Sequence, residues 1–234
     1  MNYRISYVRG TNPEYPPDQP WRPSFQGGEE NNLVFVTGSY RSILTAGGDD
    51  VVISFGIGNY ADLGDGNDTG IAVGGNVSFN GGNGNDILIG GAGSDGLVGS
   101  DGADILMGKA GNDFLSFDVS DTFVAGGPGA DTFFFNPTMV NISTPTNVPT
   151  VQIMTMASGA VAIADFSTAE GDILNMAALG ASQENVYSDT ETNSTTFITP
   201  ESVIVVIGVA FGDVGAAIAA GSLILGYDYS GGRG

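Results

Sequence analysis

The 234-residue chain contains no histidine and no cysteine, and these two absences exclude most familiar kinds of catalytic and metal site. Without histidine there is no Ser-His-Asp or Cys-His nucleophile system and no HExxH zinc site. Without cysteine there is no disulfide framework, thiolate zinc site, iron–sulfur cluster or redox couple. The oxygen atoms of carboxylates, amides, hydroxyls and the backbone remain, and these are ligands for hard cations such as calcium.

Basic side chains are also scarce. Six Lys and Arg stand against 26 Asp and Glu, which gives a formal net charge of -20. Nucleic acids and anionic membrane surfaces are bound through Lys and Arg, so this charge argues against both as partners. A cationic partner is favoured instead, and a metal ion is the simplest one. Hydrophobic residues still make up 41% of the chain, so it can form a core rather than a disordered acidic tail.

The N-terminal sequence MNYRISYVRGTNPEYPP lacks the apolar stretch of a secretory signal peptide. The most apolar part of the chain, 203–226, is interrupted by Asp213 and by several glycines, and basic residues do not flank it. We therefore expect no insertion into a membrane.

Glycine, in contrast, is abundant, at 38 residues, and it recurs with a fixed period. Consecutive nonapeptides run without insertion through residues 45–134. Position four is glycine in nearly all of them, and position six is most often Asp. Position eight is apolar almost throughout, as Val52, Ala61, Gly70, Phe79, Leu88, Leu97, Leu106, Leu115, Val124 and Phe133.

Each nonapeptide predicts a tight turn followed by a short strand. Glycine permits the positive φ and the close backbone approach that such a turn needs. In a strand made of the last three residues, only the middle side chain, at position eight, points inward. A strand this short cannot bury its apolar face alone, so stacked repeats must share one thin core. Ile43 continues the inward pattern and predicts an eleventh repeat without metal.

The pattern GGxGxDxUx in residues 45–134 resembles the calcium-binding nonapeptide of the RTX (repeats-in-toxin) family. The resemblance implies an all-β fold, a right-handed parallel β-roll with two nonapeptides per coil and Ca²⁺ in the turns. Alternate repeats then stack on opposite sides. One side carries Asp50, Asp68, Asp86, Asp104 and Thr122, and the other carries Asn59, Val77, Asp95, Asp113 and Asp131.

The resemblance also implies that each ion lies between two stacked turns, bound by carboxylates and turn carbonyls. About five ions are expected, in the gaps 50/68, 68/86, 86/104, 95/113 and 113/131. Val77 and Thr122 are expected to interrupt the two series because neither carries a carboxylate. The expected ligands are Asp50, Asp68, Asp86, Asp95, Asp104, Asp113 and Asp131, with the turn glycines Gly48, Gly66, Gly84, Gly93, Gly102, Gly111 and Gly129. A metal-free solenoid, in which the Asp side chains bond turn amides, is the alternative.

Three further segments flank the repeats. Residues 1–30, rich in proline, predict an extended arm through which the protein assembles, and 31–44 predict a β cap. Residues 135–234 predict a β-rich C-terminal cap. Within it, IADF and GDIL resemble the segment that closes RTX rolls, where Phe166 would plug the core. Asp165 and Asp172 would either bind one more calcium or cap turn amides. The resemblance also implies an uncleaved type I secretion signal in this region.

The functional prediction follows from the missing catalytic groups. Neither HExxH nor G-x-S-x-G is present, although composition leaves a carboxylate-pair glycosidase open. The sequence favours a non-enzymatic, calcium-binding extracellular structural protein that folds on Ca²⁺ and self-assembles into a surface layer, matrix filament or coat. Alternatives are a virion decoration or fibre protein and a secreted glycan- or ice-binding module. The last needs a flat array of Thr or aromatic side chains on the roll, and positions seven and nine show no such regularity.

Overall fold

The computed structural model describes residues 3–9, 24–118, 120–136, 159–177, 186–191, 193–198, 203–207, 211–212 and 214–225. Nearly all regular structure in these residues is β, and most of it forms a parallel solenoid. The chain adds one strand to each of two sheets in alternation, so the predicted parallel β-roll is confirmed.

The first sheet, called the odd sheet, has seven parallel strands. In spatial order they are β1 (Arg4–Val8), β3 (Asn32–Val36), β5 (Val51–Ser54), β7 (Thr69–Ala72), β9 (Ile87–Ile89), β11 (Ile105–Met107) and β13 (Phe123–Ala125).

The second sheet, called the even sheet, has nine parallel strands. In spatial order they are β2 (Phe25–Gln26), β4 (Ser42–Leu44), β6 (Tyr60–Asp65), β8 (Ser78–Asn83), β10 (Gly96–Asp101), β12 (Phe114–Phe117), β14 (Thr132–Phe135), β16 (Ile173–Asn175) and β20 (Leu223–Ile224).

The register between neighbouring strands shows two nonapeptides per coil. Val51 pairs with Thr69 and Thr69 with Ile87, each eighteen residues further along the chain. The even sheet keeps the same offset, since Tyr60 pairs with Ser78. Equivalent turns therefore lie directly above one another, which brings their position-six side chains together.

The position-eight side chains form a file along the middle of the core between the two sheets, and other buried side chains such as Leu63, Phe117 and Phe135 add to it. Val52, Leu88, Leu106 and Phe133 are 0% exposed. Where one side chain is small its neighbour is large: a Cβ on Gly70 would lie 2.9 Å from Phe79 Cδ2. Ile43, also 0% exposed, extends the file toward the N-terminus and pairs with Ala61, as the eleventh repeat requires.

The described part of the N-terminal segment differs from an extended arm. Residues 4–8 and 25–26 are the first strands of the two sheets, and residues 10–23 lie outside the described residues. The parallel pairing of β1 with β3 matches Ile5 to Leu33 and Tyr7 to Phe35, whose rings stack 5.2 Å apart. The β cap expected over 31–44 is likewise a coil of the roll, formed by β3 and β4.

A different arrangement closes the C-terminal end. A four-stranded sheet is formed by β15 (Gly159–Ala162), β19 (Val203–Ile207), β18 (Ser194–Ile198) and β17 (Val186–Asp189), and α1 (Val214–Ala220) precedes β20. Phe166 lies between Phe133 and Phe211, with ring centroids 5.8 and 5.6 Å away, so it covers the end of the core. In the part of the chain that the structure describes, no helix has the length and apolarity needed to cross a membrane.

Candidate metal centre

Two lines of turns run along the edges of the roll. Turns that lead into odd-sheet strands form the first edge, and those that lead into even-sheet strands form the second edge. In each turn the position-six residue stands just before its strand, so the parallel register stacks these residues one coil apart. The position-six side chains are almost completely buried, except that of Thr122, which is exposed.

On the first edge, each position-six carboxylate accepts a hydrogen bond from the backbone of the preceding coil. Asp50 N donates to Asp68 Oδ1 at 2.7 Å, Asp68 N to Asp86 Oδ1 at 2.8 Å, and Asp86 N to Asp104 Oδ1 at 2.8 Å. The series starts with Asn32 N, which donates to Asp50 Oδ1 at 2.6 Å.

On the second edge, the same series begins later. Val77 N donates to Asp95 Oδ1 at 2.7 Å, and the backbone of Asp95 and Asp113 donates to Asp113 and Asp131 Oδ1 at 2.8 Å. Val77 itself has no oxygen to offer, so it interrupts this edge as predicted. Arg41 N donates to the amide oxygen of Asn59 at 2.8 Å, before the interruption.

The second oxygen of most of these carboxylates, Oδ2, has no hydrogen-bond partner. The Oδ2 atoms of six position-six aspartates are buried and accept no hydrogen bond. They belong to Asp50, Asp68, Asp86, Asp104, Asp113 and Asp131. Asp95 differs, because its Oδ2 accepts a hydrogen bond from Gly91 N at 2.7 Å. A buried carboxylate oxygen without a partner is unfavourable. A cation or a hydrogen-bond donor beside these six oxygens would therefore stabilise the turns.

Position-one glycine makes the space that these oxygens occupy. A Cβ built on Gly99 would overlap Asp104 Oδ2, five residues later. The same overlap with a position-six carboxylate occurs at Gly81, Gly108 and Gly126. The absence of a side chain at position one therefore leaves room for the carboxylate inside the turn, which explains why glycine recurs at position one.

Position-four glycine brings the turns close to one another. Gly84 has a φ of 130°, and a Cβ on it would overlap the carbonyl oxygen of Gly66 in the preceding coil. The predicted turn glycines all have left-handed φ, between 99° and 149°: Gly48, Gly66, Gly84, Gly93, Gly102, Gly111 and Gly129. Stacked backbone carbonyls therefore lie close to the turns of the next coil, and at Gly81 the Gly99 carbonyl oxygen borders the same space as Asp86 Oδ2.

Burial and mutual repulsion raise the pKa values of the stacked carboxylates. Burial raises the pKa of Asp68 to about 7, and the charges of Asp86 and Asp50 add to the increase. Burial likewise raises the pKa of Asp86, Asp113 and Asp131 to about 6. A hydrogen bond from the preceding coil acts in the opposite direction at each site but does not cancel the burial. The turns therefore favour neutralisation by a proton or by a cation.

Comparison with known proteins agrees with this geometry. Residues 62–97 and 98–116 match the family model described as RTX calcium-binding nonapeptide repeat (4 copies). Residues 62–116 of the roll therefore match RTX calcium-binding nonapeptide repeats. Such repeats imply calcium binding, and the chemistry of the turns fits a hard cation: buried, unpartnered carboxylate oxygens beside backbone carbonyls.

One solved structure similar to this chain is the solution structure of the AlgE6R3 subunit from the Azotobacter vinelandii mannuronan C5-epimerase. It shares 24% sequence identity, with 65% of this chain and 84% of that chain covered and a TM-score of 0.37. Among curated proteins, no relative matches the chain.

The first edge of the RTX roll does not end at Thr122, where the nine-residue frame places the interruption. Asp104 N donates instead to Asp121 Oδ1 at 3.2 Å, seventeen residues away. The turn is one residue out of frame, and Asp118 N donates to Asp121 Oδ2 at 2.8 Å. Burial raises the pKa of Asp121 and of Asp104. The carboxylate series is thus longer than the repeat frame shows.

The two acidic residues predicted in the C-terminal cap both bond turn amides. Asp165 accepts from Gly126 N and Gly127 N, at 2.9 and 2.7 Å. Asp172 extends the second edge: Asp131 N donates to its Oδ1 at 2.9 Å, and Ser167 N donates to its Oδ2 at 2.7 Å. Of the two predicted roles, these contacts are those of capping residues.

Position five carries a second hydrogen-bond series that the repeat pattern did not identify. Asn67 N donates to Asp49 Oδ1, Asn85 N to Asn67 Oδ1 and Ala103 N to Asn85 Oδ1, at 3.0, 3.0 and 2.8 Å. In each of these bonds the backbone amide belongs to the later coil and the accepting side chain belongs to the preceding coil. Recurring Asn at position five was the available signal.

Within the described ranges, no three acidic side chains are grouped closely enough to hold a metal ion by themselves. The carboxylates of one edge are instead spread along a line, one per coil. A cation in these turns would therefore need backbone carbonyl oxygens in its ligand set, which is common for calcium.

Proposed function

We propose that this chain is a calcium-folded structural module that works outside the cell and assembles with further copies. The observation that carries the proposal is the set of six buried carboxylate oxygens without partners. Each lies in a stacked turn of the roll, five residues after the start of its nonapeptide. A divalent cation there would satisfy these oxygens and cancel the repulsion between neighbouring carboxylates.

The proposed ligands follow from which oxygens are already used. Asp50, Asp68, Asp86, Asp104, Asp113 and Asp131 would bind through Oδ2, with carbonyls of the position-four glycines completing the sites. Asp95 would contribute to the gap 95/113 only by giving up its bond from Gly91 N. We keep about five ions as the expected number. The gap between Asp104 and Asp121 is an additional candidate, whereas Asp165 and Asp172 serve as caps.

A structural role is supported by what the site can do chemically. The full sequence has no histidine or cysteine, and the buried carboxylates line turns rather than a substrate groove. A solenoid whose coils are joined through metal ions is rigid, and rigidity is what a coat, layer or filament requires. Metal binding would also supply folding energy, because the unfolded chain has no preformed site.

The proposed location of the protein follows from the affinity of calcium modules outside the cell. Extracellular calcium modules bind with Kd values of about 10⁻⁴–10⁻³ M, so a roll that folds on calcium would become ordered after export. We propose that the C-terminal region, 135–234, carries a type I secretion signal. We also propose that the N-terminal segment, 1–30, takes part in assembly.

A calcium titration tests the proposal. The full chain is first chelated, and far-UV circular dichroism is then recorded at pH 7.5 as calcium is added. We expect a cooperative gain of β signal and, by isothermal titration calorimetry, about five bound ions. Magnesium at the same concentration serves as the control and should not produce the transition, because it does not readily exchange its water for carbonyl ligands. A spectrum unchanged between chelator and calcium would refute the proposal.

A further inference from the structure

The outer face of the odd sheet is apolar along its whole length. Two side chains of each strand point away from the core, and the parallel register aligns them in two rows. The rows are Ile5, Leu33, Val51, Thr69, Ile87, Ile105 and Phe123, and Tyr7, Phe35, Ile53, Ile71, Ile89, Met107 and Ala125. None of these side chains is charged and none is buried. Ile5 and Tyr7 are 58% and 59% exposed.

The outer face of the even sheet is different. Its matching positions include Tyr60, Asp62, Ser78 and Asn80, and the Asn80 amide donates to Asp62 at 3.1 Å. Strand formation alone does not require apolar outer rows, since the even sheet forms equally regular strands whose outer positions mix these polar residues with Val98, Phe114 and Phe134. Positions seven and nine show an apolar array once odd and even repeats are separated by sheet.

The distribution of charge indicates what this face can contact. The chain carries a net charge of -20, and half of the acidic residues lie in residues 45–134, mostly in the turns and on the even sheet. Two copies that met through turns would bring like charges together. If two copies met through their odd sheets, the two outer rows would bring no carboxylates face to face.

We propose that the outer face of the odd sheet binds the same face of a second copy of this chain. The inference rests on the proposed function and names the interface for its assembly. The side chains within each row lie about 4.8 Å apart, so the rows of two copies interdigitate when their sheets stack about 10 Å apart, related by a twofold axis. The rows come into line only in the folded roll, so calcium controls the interface indirectly.

The size of the face sets the expected strength. Seven strands and two rows cover an area of about 35 Å by about 14 Å, or roughly 500 Å² per copy. A pair would bury about 1,000 Å², near the lower limit for specific interfaces. We therefore expect a reversible dimer whose population rises with concentration, rather than a permanent one.

The test compares two lysine substitutions in the full calcium-loaded chain. Ile89→Lys places a charge in the middle of the odd face. Val98→Lys, at position nine of the next repeat, places the same charge on the even face, and both parent side chains are half-buried. Lysine is chosen because an ammonium group cannot bind calcium. Sedimentation velocity over a concentration series measures association, while circular dichroism and calcium stoichiometry report folding.

The expected result is a dimer for the wild-type chain and for Val98→Lys, with a dissociation constant at least about tenfold higher for Ile89→Lys. All three should show the same calcium-induced folding. A wild-type chain that folds with calcium yet stays monomeric at every concentration overturns this inference and leaves the proposed function intact. Equal weakening by both substitutions also overturns it. So does a monomer whose odd face instead binds vesicles of neutral lipid. Failure of folding itself would contradict the proposed function.

Discussion

The two edges of the roll have the same backbone but different side chains at position six. The first edge carries carboxylates without interruption from Asp50 to Asp121. The second edge has Asn59 and Val77 before its carboxylates begin at Asp95. The coils around Asn59 and Val77 keep the eighteen-residue register and a buried core. A position-six carboxylate is therefore not needed to form a coil, so its recurrence elsewhere points to a ligand.

The largest effect on stability should come from a change of pH, which alters the charge of the position-six carboxylates on both edges together. Burial raises the pKa of Asp68 on the first edge to about 7 and that of Asp113 on the second edge to about 6, from 3.8 for an unperturbed Asp. Between pH 4 and 7 the native state thus holds protons that the unfolded state has released, and stability falls as pH rises. We expect chelated protein to be ordered near pH 4 and to lose β signal toward pH 7. Far-UV circular dichroism measures this, and a β signal that grows with pH in chelator would contradict it.

A smaller effect is expected when a single carboxylate is removed, and the number of calcium ions lost should differ between the two edges. Asp86 borders the two gaps 68/86 and 86/104, whereas Asp95 borders only 95/113. Asp86→Asn keeps an oxygen for the bond from Asp68 N but removes the charge. We expect Asp86→Asn to lose about two ions and Asp95→Asn at most about one, by isothermal titration calorimetry. An equal loss in the two variants would argue against binding in the gaps.

The interruption on the second edge can be repaired. Val77→Asp would place a carboxylate one coil before Asp95, where Asn59 N could donate to it. We expect a gain of about one calcium ion over the wild-type chain. Val77→Asn is the matched control, because it offers the same hydrogen bond without a charge and should add no ion. No gain with Asp would mean that this turn cannot form a site.

The smallest effect concerns backbone strain in one turn of the first edge. Ala46 has a φ of 77°, whereas the equivalent residues Gly64 and Gly82 are glycines. Ala46→Gly should stabilise the calcium-loaded roll by about 1 kcal/mol, since a left-handed φ disfavours Cβ. Ala103→Gly, also exposed but without positive φ, should destabilise it by about 0.5–1 kcal/mol through added freedom in the unfolded chain. Urea denaturation in calcium compares them, and the same sign for both would exclude strain at Ala46.

The sequence was informative wherever the nine-residue frame held. Position eight predicted the core, and the resemblance to RTX repeats gave the pairing of repeats eighteen residues apart. The frame could not show that Asp121 replaces Thr122, because a one-residue shift depends on how the turn packs against Asp104. It could not show that β1 and β2 extend the roll, since Pro-rich segments around them obscure short strands. The sequence did not reveal the apolar face of the odd sheet, because the residues of its rows come from every second nonapeptide.

The opposite directions of the two hydrogen-bond series determine how coils depend on one another. A position-six amide bonds a carboxylate of the following coil, and a position-five amide bonds a side chain of the preceding coil. An interior coil cannot melt without releasing donors in both neighbours, so unfolding should start at an end of the roll. The C-terminal end is protected because Asp172 and Phe166 take the place of a further coil. Loss of order should therefore begin at β1 and β2 and progress toward the C-terminus.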